Sequence, residues 1–263
     1  MPELPDVEVF RKYLGKTALC QSIVKVEVFA EDILDDLSQK QLQSQIEGHQ
    51  FESTERHGKY LFTRLSDNSW IVFHFGMTGY FDYFKDADWP PKHTRVLFSF
   101  DNGYHLAFVL QRKLGRLALT EHINSFVKKQ GLGPDALDKS FNLRAFKKAV
   151  TGTRSSIKSA LMNQERIAGI GNIYSDEILF QARLNPKAKA SRLSNQGLKM
   201  LFRAVKEVLE TAIDSGADPR KMPQHYLLPR RERGAKCPIC HGEIATMKIS
   251  GRTAYFCPKC QST

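Results

Sequence analysis

No stretch of this sequence is apolar over the length needed to cross a membrane as a helix. Cysteine is scarce, five in 263 residues, which excludes a disulfide-stapled secreted scaffold. The start of the chain does not read as a signal peptide. The expected compartment is therefore the cytoplasm, at the nucleoid in a prokaryote, or the nucleus where there is one. Several catalytic signatures are missing: there is no P-loop, no serine–histidine–acid pattern and no paired-carboxylate motif. The eight histidines are scattered, with metal-like placement only for His241 beside Cys240. Internal repeats and low-complexity tracts are absent. Acidic residues are in short supply, 28 Asp plus Glu against 39 Lys plus Arg, a formal charge of +11 and a pI near 9.4. Charge alone could be a solubility surface. Its distribution favours a polyanionic partner, nucleic acid before anionic membrane, because nine basic residues face three acidic ones from Asp218 onward.

Four of the five cysteines are tightly placed, as Cys237-Pro-Ile-Cys240 and Cys257-Pro-Lys-Cys260 with sixteen residues between the pairs. A two-residue spacer lets one tight turn aim both sulfurs at one point. Two such turns complete a tetrahedron of thiolates, the geometry of structural zinc. One Zn2+ with all four positions filled by protein would hold a fold and do no chemistry. Two disulfides suit a reducing compartment less well, four unrelated thiols do not account for the paired spacing, and Cys20 has no partner in the pattern. Between the pairs, 244–249 and 253–256 read as strands around a Ser250-Gly251 turn.

Hydropathy patterning predicts an α+β multidomain chain. A helix starts near Pro5 and Asp6, with Gly15 able to cap its far end. Strands are expected over 23–29, 60–65, 70–75, 94–100 and 105–110, separated by turns at Asp67-Asn68, Pro90-Pro91 and Asp101-Asn102-Gly103. Short strands at this spacing form a sandwich or barrel. Helices follow over 143–150, 157–163, 174–182 and 193–213, the last capped by Ser194. The expected domains are an N-terminal β-sandwich flanked by helices over 1–125, a helical domain over 135–225 and a zinc β-hairpin over 230–263.

Candidate chemistry begins at Met1-Pro2-Glu3-Leu4-Pro5. Removal of Met1 would leave Pro2 with a free secondary amine, far less basic than a lysine and nucleophilic near pH 7. Glu3 beside it could move protons. Taken alone, this pentapeptide is as well explained by a stiff, unstructured start. The glycine-rich turn 164–172 could offer backbone amides, and the Asn172 side chain, to a phosphate, or could be a packing turn between helices. Met77, in the loop from His74 to Gly79, is either a core plug, the blander reading, or a wedge between bases. Arg56 to Tyr60 and Gln111 to Arg116 are basic turns that solvate well by default. Arg252, after the hairpin turn, can point away from the metal toward a phosphate.

Taken together, these segments resemble the DNA glycosylase/AP lyases of the formamidopyrimidine-DNA glycosylase and endonuclease VIII family. The match covers nearly the whole chain. Pro2-Glu3-Leu4-Pro5, the His74–Gly79 loop, the run from Ala168 to Glu177 and the cysteine hairpin ending at Gln261 occur in the family's order. The resemblance implies that Pro2 attacks C1′ of a damaged nucleotide and that Glu3 is the acid/base. Lys59, placed with these catalytic residues, would contact a phosphate near the lesion. It implies DNA contacts by His74, Lys158, Asn172 and Arg252, the helical domain being a helix-two-turn-helix. Met77, Arg112 and Leu114 would fill the gap left by the flipped nucleotide. The partner would be double-stranded DNA carrying damaged bases or abasic sites, bound by a monomer without a membrane. The chain departs from the family at 110–115, where Leu-Gln-Arg-Lys-Leu-Gly replaces Asp-Pro-Arg-Arg-Phe-Gly. Asp6 stands where glutamate is usual, and 216–236 is short for a loop that caps oxidised guanine. These departures bear on the lesion and on the opposite base.

Two other function classes fit parts of the pattern. A non-catalytic relative that only binds distorted DNA would keep Asn172, Arg252 and the hairpin, but it leaves Pro2 and Glu3 without a purpose. A tautomerase-like enzyme acting on small carbonyl compounds through an N-terminal proline leaves the zinc hairpin unexplained.

Overall fold

The computed structural model describes residues 1–85 and 90–261. The chain divides into two compact units, Met1–Pro2 with Asp6–Gln130, and Glu3–Pro5 with Gly131–Thr263. The last two residues of the expected 230–263 hairpin domain lie outside the described residues.

Helix α1 (Leu4–Thr17) opens with Pro5 and Asp6 in its first turn, where proline costs no hydrogen bond and an acid faces the positive helix end. Gly15 does not end it as expected. The helix runs on to Thr17, and the chain turns only where Cys20 adopts φ 59°. Strand β1 (Ile23–Val28) and helix α2 (Gln39–Ile46) follow, α2 opening on a capping box between Ser38 and Gln41. Seven more strands complete the first unit: β2 (Phe51–His57), β3 (Tyr60–Leu65), β4 (Trp70–His74), β5 (Tyr80–Lys85), β6 (Thr94–Phe100), β7 (Tyr104–Val109) and β8 (Arg116–Thr120). They form two antiparallel four-stranded sheets, β1-β6-β7-β5 and β2-β3-β4-β8. Aromatic residues fill the space between the sheets. Phe73 of β4 meets Phe81, Phe98 and Phe108 edge-on at centroid distances of 5.0, 6.1 and 5.2 Å. Burying each such ring stabilises the sandwich by roughly 2–3 kcal/mol.

The four expected strands β3, β4, β6 and β7 lie within a residue of their predicted bounds, and β1 also matches. Strands β2, β5 and β8 and helix α2 were not anticipated. β2 is largely polar, Phe-Glu-Ser-Thr-Glu-Arg-His, with one fully buried residue, so burial leaves little pattern to read. The join expected near 121–140 contains a further short helix, α3 (Ile123–Lys129), whose Phe126 packs with Phe62, Val72 and Ala118 on the outer face of the second sheet.

The second unit has its own core, built from α4 (Leu143–Thr151), α5 (Ile157–Met162), α6 (Asn172–Gln181) and α7 (Asn195–Asp214). Asn142, Ser156 and Ser194 cap α4, α5 and α7 through their side chains. Helix α6 starts at Asn172, two residues before the expected start, and Tyr174 to Phe180 are buried all round. The hairpin of β9 (Ala245–Ile249) and β10 (Arg252–Phe256) turns on Ser250 at φ 48° and Gly251 at φ 75°. Two left-handed residues are what a two-residue hairpin turn of this twist needs. Among the described residues no helix is long and apolar enough to cross a membrane.

Candidate active site and metal centre

The first turn of an α-helix has amides without intrahelical partners, and in α6 these are occupied by a protein carboxylate. Glu3 is fully buried. Its Oε2 accepts from the amides of Gly171 at 2.7 Å and Tyr174 at 3.2 Å, and its Oε1 from Ile173 at 2.8 Å. Amides that the sequence reading offered to a phosphate are thus taken by Glu3. The glycines make this possible. A Cβ on Gly171 would collide with the Glu3 carboxyl, and one on Gly169, at φ 108°, would collide with Leu4. Leu4 in turn donates its amide to the Gly169 carbonyl at 3.0 Å.

Asn172, the first residue of α6, donates from Nδ2 to the Thr253 carbonyl of β10 at 3.2 Å. Arg252 is the neighbour of Thr253 and is exposed. The structure therefore brings Asn172 and Arg252 together. Lys158 corrects an expectation. It is fully buried, and its ammonium donates to the Asn172 carbonyl at 3.0 Å, Ser175 Oγ at 2.8 Å and Asp176 Oδ1 at 2.6 Å. Its three donors are used inside the protein, where it supports the α6 N-terminus. Burial lowers its pKa, opposed by Asp176. One residue along, burial pushes the Glu177 carboxyl up to about 7, even though it accepts from Gln181 and from the amides of Leu227 and Leu228.

In the first unit, Lys59 is almost fully buried and follows Gly58 at φ 57°. His74 ends β4, cross-strand from Tyr60 and Arg116. Burial, then the charges of Lys59 and Arg116, hold the imidazole down at about 4, so it is neutral at physiological pH. Met77 is 38% exposed and Leu114 47% exposed. That overturns the blander reading of Met77 as a core residue. The two tips belong together: a Cβ on Gly76 would meet Leu114 and Gly115 backbone at about 2.5 Å, so the loops touch along their glycines. Arg112 is exposed on the same turn as Leu114, beyond Lys113 at φ 48°.

The four cysteines Cys237, Cys240, Cys257 and Cys260 converge, with all Sγ atoms within 4.8 Å of one another. Cys237 and Cys260 are 3.8 Å apart, and Cys240 and Cys257 3.4 Å. A tetrahedral ion with metal–sulfur bonds of ~2.3 Å needs sulfur separations of about 3.8 Å, so the donor set fits. A backbone hydrogen bond from Gly242 draws Cys240 down to about 7, while burial and the other three sulfurs push Cys260 up to about 12. Four adjacent thiols cannot all ionise without a cation between them. Gln261 braces the site, accepting from the Cys257 amide at 2.8 Å and donating to the Leu184 carbonyl at 2.9 Å. His241 is exposed and takes no part.

Family models match the chain in three successive pieces. These are the formamidopyrimidine-DNA glycosylase N-terminal domain over residues 1–117, the H2TH domain of the same glycosylase over 132–223, and a zinc finger found in FPG and IleRS over 234–263. A formamidopyrimidine-DNA glycosylase of Desulforamulus reducens is 35% identical over 99% of both chains. The chain belongs to the formamidopyrimidine-DNA glycosylase family. The Enterococcus faecalis glycosylase is 32% identical over 99% of this chain and 97% of its own. Among solved structures, the Lactococcus lactis glycosylase bound to DNA containing an AP site superposes with a TM-score of 0.91 at 27% identity, covering 99% of this chain and 100% of that one. The same enzyme with DNA containing FAPY-dG gives 0.90. Within this glycosylase fold the first model spans Pro2, Glu3, Lys59, His74, Met77, Arg112 and Leu114. The second spans Lys158 and Asn172, and the third the four cysteines and Arg252. Sequence reasoning missed Gly171 as the seat of Glu3, as well as Asp176, Arg231 and Gln261. Glu3 at Gly171, Arg231 at Asp176 and Leu184 at Gln261 are far away along the chain, so no local spacing announces these pairings.

Proposed function

We infer that this glycosylase is a bifunctional base-excision enzyme that removes oxidised or otherwise damaged bases from duplex DNA and cuts the strand at the resulting abasic site. The observation that carries the reading is the buried Glu3, next to Pro2 in the chain and fixed by three amides at the start of α6. A carboxylate so held is oriented for proton transfer, which is worth roughly two to four orders of magnitude in rate. With Met1 removed, the Pro2 amine bonds to C1′ as the base departs with the glycosidic electron pair and a proton. Glu3 moves the protons of sugar opening. The iminium then acidifies C2′, and loss of that proton expels the neighbouring phosphate. Extrusion of the base is required for access. Met77, Arg112 and Leu114, on touching loops, fill the vacated stack.

Lys59, His74, Asn172 and Arg252 contact the phosphates around the lesion. The four cysteines hold one Zn2+, which supplies structure and no chemistry. Residues 1–125 act as the catalytic sandwich, 135–225 as the helix-two-turn-helix domain and 230–263 as the zinc hairpin. The protein works as a monomer in the cytoplasm, at the nucleoid. Borohydride trapping on duplex containing an abasic site is the test. Covalent attachment at Pro2 is expected, and a mature chain that keeps Met1, or fails to trap, contradicts the reading.

A further inference from the structure

We infer that Arg231 is a positioning residue that sets the placement of Arg252 relative to Asn172, an inference that rests on the phosphate-contact reading above. The ion folds the hairpin, but four thiolates of the module itself say nothing about how that module is oriented on α6. Orientation has to come from side-chain ties. At one end Gln261 and Asn185 pin the cysteine turn, Gln261 Nε2 to the Leu184 carbonyl at 2.9 Å and Asn185 Nδ2 to the Gln261 carbonyl at 3.1 Å. A second, charged tie runs between α6 and β10 through Arg231. Its Nε and Nη2 donate to Asp176 Oδ2 at 2.9 and 2.7 Å, and its guanidinium lies 4.4 Å from the centre of the Tyr255 ring.

Arg231 links the two elements that carry the proposed contacts. Asp176 lies one helical turn beyond Asn172 on α6, and Tyr255 lies three residues beyond Arg252 on β10. Asp176 is itself fully buried and held from its other oxygen by Lys158 at 2.6 Å. Lys158 also grips the Asn172 carbonyl. A chain of contacts thus runs from Asn172 through Lys158, Asp176 and Arg231 to Tyr255. The ties at Arg252 and its neighbours are weaker: the Asn172–Thr253 hydrogen bond at 3.2 Å, an exposed hydroxyl pair of Ser159 and Ser250, and a long contact from Arg252 Nη1 to Met162 Sδ at 3.9 Å. The position calls for arginine. A planar guanidinium can donate twice to one carboxylate and stack on a ring at the same time, which an ammonium cannot.

The test is a double-mutant cycle on duplex DNA carrying one stable abasic-site analogue, with affinity measured over a range of salt. R252A is expected to weaken binding roughly tenfold and to flatten the salt slope by about one unit. R231M is expected to do much the same while keeping one zinc per chain. The R231M/R252A double variant should be no weaker than R252A, because Arg231 acts through Arg252. R231K keeps the charge and should fail to rescue. Full binding by R231M or R231K, or losses that add in the double variant, overturn the positioning role and leave the phosphate contact standing. An R252A protein that binds like the parent removes the contact itself, and the positioning role with it. Should R231M not retain zinc, Y255L removes the stack alone and is judged in the same cycle by the same outcomes.

Discussion

At the scale of single residues, two buried carboxyls meet α6 in different ways. Glu3 receives three amides at the positive end of α6, and Glu177, on α6 itself, is held where burial outweighs its hydrogen bonds. Gly171→Ala places a methyl group where the Glu3 carboxyl lies. Single-turnover base excision by that variant should fall by about a hundredfold or more, while affinity for an abasic-site duplex changes far less. Equal losses in both would show that Gly171 serves binding. For Glu177 the folded-state pKa of about 7 exceeds the ordinary 4.5. Between those values the unfolded chain releases a proton that the folded one keeps, so stability falls as pH rises through that window. The contribution lost is at most about 3 kcal/mol. Urea unfolding of the parent and of Glu177→Gln should show the parent's relative stability decreasing from pH 4.5 to pH 8. A constant gap between the two proteins would contradict the assignment.

At the scale of elements, the cysteine hairpin is the part most readable in advance. The Cys-x-x-Cys spacing and the Ser250-Gly251 turn are local codes, and the strands fell within a residue of expectation. The element is also small, with a core of Cys237, Ile244, Cys257 and two residues borrowed from outside it, Phe180 and Leu227. Without an ion so few apolar contacts cannot hold it. Cys237→Ala, or a strong chelator, should lower affinity for damaged duplex by at least about tenfold, read by fluorescence anisotropy. Borohydride trapping at saturating DNA should persist, since Pro2 is untouched. Unchanged affinity in zinc-free protein would count against the hairpin as a DNA contact. Elements with polar sequences behave differently. β2 and α3 escaped notice because they bury one residue each, and a strand or helix held by neighbours need carry little pattern of its own.

For the molecule as a whole, charge is the property that acts at a distance. A formal +11, with nine basic residues from Asp218 onward against three acidic ones, makes phosphate neutralisation the expected source of affinity. A plot of log affinity against log salt should have a slope of about −3 or steeper, and a flat plot would remove DNA as the partner. The amino-acid sequence alone determined the class of chain, the metal ligands, the sandwich-then-helix order, the caps at Ser194 and the hairpin turn. Each depends on residues close together, whose spacing dictates local geometry. Only the tertiary structure decided that Glu3 would claim amides some 168 to 171 residues away, and that Met77 would be exposed against the turn of Leu114. It alone decided that Lys158 would be sealed inside beside Asp176 and Arg231. Those pairings arise from chain closure around the core of each unit, and no spacing along the chain encodes which distant group will arrive there.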